Sequence, residues 1–112
     1  MDADFEKADG IDLVVNVILG TIPKNNYVEA HLFNNAGSLG QLSKIREQTY
    51  ERVQSNISVN LTAPIILTSK FIARFGHVGC KMGIVNVSSL AAYSLFNKVG
   101  FSHLKHGECI AP

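Results

Sequence analysis

Two short β-prone runs separated by one long amphipathic stretch constrain this chain more than any other feature. The first run, Tyr27 to Phe33, stops at Asn34-Asn35-Ala36-Gly37, a cluster of turn-forming residues. The second, Gly83 to Val87 (GIVNV), ends at Ser88-Ser89. Between them, Thr49 to Phe75 predicts one long helix. Val53, Ile57, Leu61, Ile65, Thr68, Ile72 and Phe75 recur at helical spacing and predict an apolar stripe that a sheet or a partner helix must cover. Pro64 falls inside that stretch and should bend the helix or leave a carbonyl near Asn60 without its donor. Upstream, residues 11–22 read as a further helix. Apolar side chains stand at 11, 14, 15, 18 and 19, and Pro23 with Asn25-Asn26 ends the segment.

A strand, a long helix and a second strand make a βαβ unit, which implies parallel strands joined by a right-handed crossover. Ligands of such sheets bind beyond the carboxyl ends of the strands. The Asn-Asn-Ala-Gly turn and the Ser-Ser pair both follow strand ends, so both should occupy that edge.

The length, 112 residues, suits one compact domain. The apolar fraction, 46%, is that of a globular chain and argues against disorder throughout. Ten basic against nine acidic residues leave a formal charge of +1, which gives no electrostatic reason to expect nucleic acid or an anionic membrane as partner. The acidic opening Met1-Asp2-Ala3-Asp4-Phe5-Glu6 does not read as a targeting segment. Asn16, Gly20, Asn60 and Lys70 interrupt the best apolar runs before they reach the ~20 residues of a membrane span. A soluble, cytoplasmic protein is expected. Cys80 and Cys109 are too few for a disulfide framework and read as reduced thiols. His103, His106 and Cys109 have metal-ligand spacing but no obvious fourth ligand, so no metal site is expected.

Taken in order, Asn34-Asn35-Ala36-Gly37 after a strand, Asn60 on the next helix, and Ile84-Val85-Asn86-Val87-Ser88-Ser89 closing the next strand resemble the short-chain dehydrogenase/reductases. The longer stretch Phe33 to Gly40, with Ser88-Ser89-Leu90 downstream, is most similar to that family's sepiapterin reductase branch. The resemblance covers residues 3 to about 101. It implies a Rossmann-like fold and the NADPH-dependent reduction of a pterin side-chain ketone in tetrahydrobiopterin synthesis. Ala3 and Asp4 would then reach the adenine ring of the cofactor, NADP. Asn35, Ala36 and Gly37 would lie along its adenosine ribose, where small residues let backbone approach ligand. Asn60 matches the catalytic asparagine that holds a water in the proton relay. Ser89 matches the catalytic serine that hydrogen-bonds the substrate carbonyl, and Leu90 follows it in the substrate pocket. Each segment alone also fits a plainer role: a helix-entry turn, a strand-end cap, a polar helix residue facing solvent.

The chemistry of the resemblance is coherent. Hydride addition to a ketone builds negative charge on oxygen, which a hydroxyl at a strand end can stabilise. The oxygen must also gain a proton from an acid tuned towards neutral pH. In the family a tyrosine does this, with a lysine four residues later lowering its pKa. Here those positions are Ser102 and His106, and Tyr93, followed by Asn97, makes no such pair. The family's glycine-rich pyrophosphate turn finds no counterpart either. Residues 1–101 therefore read as the middle section of an NAD(P)-binding Rossmann-like domain, truncated at both ends, and 102–112 as a divergent, disorder-prone tail. The expected fold is α/β, a partial doubly wound sheet of two parallel strands with helices on one face. The chain alone is expected to be inactive. The alternative is a non-catalytic module that binds a full-length reductase subunit through helix 49–76, or a second copy of itself.

Overall fold

A computed structural model of the chain describes residues 2–23, 27–40, 44–77 and 79–89. The expected α/β architecture is present, as a partial Rossmann-like fold. Strand β1 (Glu29–Asn34) pairs in parallel with β2 (Lys81–Asn86), in a register that sets Glu29 opposite Lys81 and Asn34 opposite Asn86. The ladder runs past both ends of the strands. Lys81 N–H donates to the Val28 carbonyl at 2.8 Å, and Val87 N–H donates to the Asn34 carbonyl at 3.0 Å. This explains why the strands start and stop away from the apolar runs at 27–33 and 83–87. Backbone partners decide where pairing ends, whereas Tyr27 turns its ring edge-on to Phe75 at 6.1 Å.

Helix α1 (Ala8–Leu13) begins ahead of the expected Ile11 and continues through a π-type turn, Val14–Leu19. The long helix is present over its expected length, in three consecutive parts: α2 (Tyr50–Ile57), a π-type turn (Ser58–Thr62) and α3 (Ala63–Phe75). Thr49 caps it, its hydroxyl accepting the Arg52 N–H at 3.3 Å. Pro64 stands just after the π-type turn Ser58–Thr62, where a bend or a freed carbonyl near Asn60 is expected, and the first helix forms a π-type turn without a proline. Proline has no N–H to give the Asn60 carbonyl, and the residue before it, Ala63, donates to Ser58 rather than to Val59.

The helices share one face of the sheet, where α3 packs on both strands and on the first helix. Ala30, Leu32 and Asn34 point to that layer. Glu29, His31 and Phe33 alternate to the other face, where Phe33 is 64% exposed beside Val85.

The stripe expected to be covered is buried only in part: Phe75 lies in the core and Ile57, Leu61 and Thr68 are half-buried. The core is made by Ile11, Val59, Ala63, Leu67, Phe71 and Phe75, with Asn56, Ser58 and Asn60 buried along the same side of the long helix. Val53, Ile65 and Ile72 face outward, and Ile65 is 55% exposed. Asn60 and Ser58 are buried on this face because their polar groups find partners there. Hydrogen-bonded polar side chains cost little to bury, and unpaired ones cost much.

Candidate active site

Both strand ends lie on one edge of the sheet, because the pairing is parallel and Asn34 stands opposite Asn86. The turn 35–37 and the Ser88-Ser89 step leave from that edge, as expected. Asn34 joins three elements there. Its side-chain amide donates to Asn86 Oδ1 at 2.8 Å and to Thr68 Oγ1 at 3.0 Å, linking β1, β2 and α3 at the point where the two polar segments begin. The motifs read from the sequence contain Asn34 and Asn86, and the helix stripe contains Thr68, but none of the three is expected to act at the site. The signal that could have found them is an asparagine at the last position of each strand.

Asn35, Ala36 and Gly37 are exposed, and the chain beyond them is held down on the π-type turn Ser58–Thr62. Asn60 does the holding. Among the described residues it is the largest fully buried side chain, at 0% exposure. Its Oδ1 accepts the Ser38 N–H and its Nδ2 donates to the Ser38 carbonyl, both at 2.8 Å. The side chain thus pairs with loop backbone as a neighbouring strand would, which excludes a solvent-facing role. Ser38 Oγ accepts the Gly40 N–H at 3.0 Å. Gly40 has φ +61°, and a Cβ there would stand 2.3 Å from the Asn56 amide nitrogen, so glycine lets the loop close onto the buried Asn56.

The amino-terminal segment completes the site. Asp4 Oδ1 accepts the Glu6 N–H at 3.0 Å, forming a local turn, and the Asp4 carboxylate stays exposed. Its 3.7 Å pairing with Lys7 is exposed on both sides and contributes little. Ser58 donates its hydroxyl to the Phe5 carbonyl at 2.6 Å. A cleft of about 160 Å³ runs between Phe5, Phe33, Asn35, Ala36 and Pro64, with Val59 and Leu67 beneath. The structure therefore brings Phe5, the chain neighbour of Asp4, to one cleft with the Asn35-Ala36 turn, which lies far away in sequence.

Ser89 is half-buried at the sheet edge. Leu90, Tyr93, Asn97, Ser102, His106 and the whole 102–112 tail lie outside the described residues. Among the described residues, no group of three or more His, Cys, Asp or Glu side chains is placed to hold a metal ion, and no helix is long and apolar enough to cross a membrane.

No family model matches the chain. It is 33% identical over 75 residues to benzil reductase ((S)-benzoin forming) of Bacillus subtilis (strain 168), across 67% of this chain and 31% of that protein. It spans about a third of the length of the curated relatives it matches. Among solved structures it resembles a short-chain dehydrogenase/reductase from Burkholderia vietnamiensis, with a TM-score of 0.79 at 17% identity, covering 95% of this chain and 51% of that one. It also resembles a short-chain dehydrogenase from Sphingobium yanoikuyae in complex with NADPH, with a TM-score of 0.73 at 26% identity, covering 93% of this chain and 39% of that one. With an Asn-Asn-Ala-Gly turn and a Val-Ser-Ser step side by side on the edge of a parallel pair, the chain has the Rossmann-like fold of the short-chain dehydrogenase/reductases it resembles and is similar in sequence to benzil reductases.

Proposed function

We propose that the chain carries the nucleotide-facing edge and the carbonyl-binding serine of an NADPH-dependent ketone reductase. The observation that carries this reading is the meeting of Phe5, next in the chain to Asp4, with Asn35-Ala36 across one cleft, on the strand-end edge that also bears Ser89. An exposed carboxylate at Asp4 offers acceptors to the amino group of an adenine, and the small exposed turn 35–37 leaves room for a ribose against backbone. NADPH supplies the hydride when bound. Ser89 donates its hydroxyl to the substrate oxygen, and Asn60 holds the loop that borders the nucleotide. The Phe33–Gly40 stretch favours a pterin side-chain ketone as substrate, and the similarity to benzil reductases favours benzil. Both are assayed together.

Titration of the labelled chain with NADP+ is expected to move the amide resonances of Asp4, Asn35, Ala36 and Gly37. No movement at millimolar nucleotide overturns the reading. NADPH oxidation with sepiapterin or benzil is expected to be absent, because Ser102 and His106 stand where the family's acid and its lysine would be. Loss of a positioned general acid alone costs about 10²–10⁴-fold. Turnover that disappears in Ser89→Ala would show instead that another group of this chain delivers the proton.

A second reading rests on the outward stripe of the long helix. Val53, Ile65 and Ile72 leave an apolar surface on the side away from the core. In this reading the chain docks on an intact reductase subunit through residues 49–76. Co-sedimentation with such a subunit, lost in Ile65→Glu, is the expected result; no association of the unaltered chain overturns it.

A further inference from the structure

The π-type turn Ser58–Thr62 buries three consecutive residues, Ser58, Val59 and Asn60. An ordinary helical turn facing a flat layer turns one residue in three away from it. Wider i→i+5 bonding lets all three point inward, and each meets a different piece of the cleft. Asn60 takes the loop at Ser38, Val59 lines the cleft floor, and Ser58 takes the Phe5 carbonyl at 2.6 Å. The Ser58 bond ties the long helix to the 4–6 segment through a side chain.

We propose that Ser58 is a positioning residue for nucleotide binding, setting where Asp4 and Phe5 stand against Asn35 and Ala36. This rests on the cofactor reading given above. Two neighbouring contacts make the segment stiff enough to transmit the effect. Asp4 Oδ1 accepts the Glu6 N–H, and Gly10 lies so close to Asp4 that a Cβ there would overlap its carbonyl oxygen. The Ser58–Phe5 bond then sets how closely this turn approaches the helix. A hydroxyl is needed for this, because only a donor can hold a carbonyl. A methyl in its place leaves the Phe5 carbonyl to turn towards water.

The test compares Ser58→Ala, Ser58→Val and Ser58→Thr in the full chain, by NADP+ titration and by the carbonyl carbon resonance of Phe5 without nucleotide. Alanine and valine should shift the Phe5 resonance and weaken NADP+ by about fivefold, the net worth of one hydrogen bond. Threonine, which keeps the hydroxyl at nearly valine's shape, should restore both. Equal affinity in the unaltered chain and in Ser58→Ala overturns the inference, as does an unmoved Phe5 resonance. Equal weakening by valine and threonine also overturns it, since packing rather than the hydroxyl would then be responsible. A chain that binds no NADP+ even unaltered overturns the cofactor reading itself, and that result is separate because it appears before any substitution.

Discussion

Asn60→Leu should cost the chain about 2–4 kcal/mol, from two hydrogen bonds lost and two loop backbone groups left without partners. Leucine is close to asparagine in size, so the substitution leaves no large void in the helix face. What it removes is the pairing of Oδ1 with the Ser38 N–H and of Nδ2 with the Ser38 carbonyl. At 0% exposure, water cannot replace these bonds at the helix side without opening the loop. Domains of this size are stable by only about 5–15 kcal/mol, so the loss is a large part of the whole. Asn60→Asp should also be unfavourable, because a carboxylate has nothing to donate to the Ser38 carbonyl and would be buried beside it. The urea midpoint measures the cost, and amide exchange at Ser38 locates it. A leucine variant as stable as the parent, with Ser38 still protected, would show that the loop does not depend on this side chain.

Gly10→Ala should be destabilising by about 1–3 kcal/mol, although replacing a helical glycine with alanine ordinarily stabilises by about 1 kcal/mol. The sign reverses because a Cβ at Gly10 would come within 1.9 Å of the Asp4 carbonyl oxygen, and that oxygen belongs to backbone. The Asp4 carbonyl is also committed, accepting the Lys7 N–H at 3.2 Å. The turn that carries the candidate adenine contact would have to move bodily. Gly83→Ala provides the comparison. Its Cβ would stand 2.3 Å from the His31 ring nitrogen, nearly as severe a clash on paper. Yet the imidazole is an exposed side-chain end that can swing aside, losing its 2.8 Å contact with Glu29 and its ring contact with Phe33 at 6.5 Å, both exposed. Gly83→Ala should therefore stay within about 0.5 kcal/mol of the parent. Thermal or urea midpoints of the two variants test the contrast, and equal losses would contradict it.

How much of this was legible beforehand differs from element to element. The two strands and the long helix between them were legible because each is a run with its own period and its own stop signals. Thr49 starts the long helix and Asn34-Asn35-Ala36-Gly37 stops the first strand through local chemistry that needs no distant partner. The parallel pairing followed, since two strands joined by a helix of that length have little other way to meet. Hence the placement of the turn 35–37 and of Ser88-Ser89 on a shared edge could be read from the order of residues.

The buried face of the long helix could not. Counting apolar residues selected Val53, Ile65 and Ile72, which the fold leaves outward, over a face that carries Asn56, Ser58 and Asn60. Hydropathy treats an asparagine as a cost because it assumes no partner, and periodicity assumes a uniform helix. Both assumptions fail here for one reason. The partners of Asn60 and Ser58 are backbone groups of Ser38 and Phe5, brought over by the tertiary fold, and the turn that presents them is π-type rather than α. The amino-acid order alone determined the elements, their parallel arrangement and the edge that gathers the polar segments, because these follow from local propensity and chain connectivity. Only the folded chain decided which helix face is inside and what Asn34, Ser58 and Asn60 hold, because a buried polar side chain is stable or not according to a partner that stands far away in sequence.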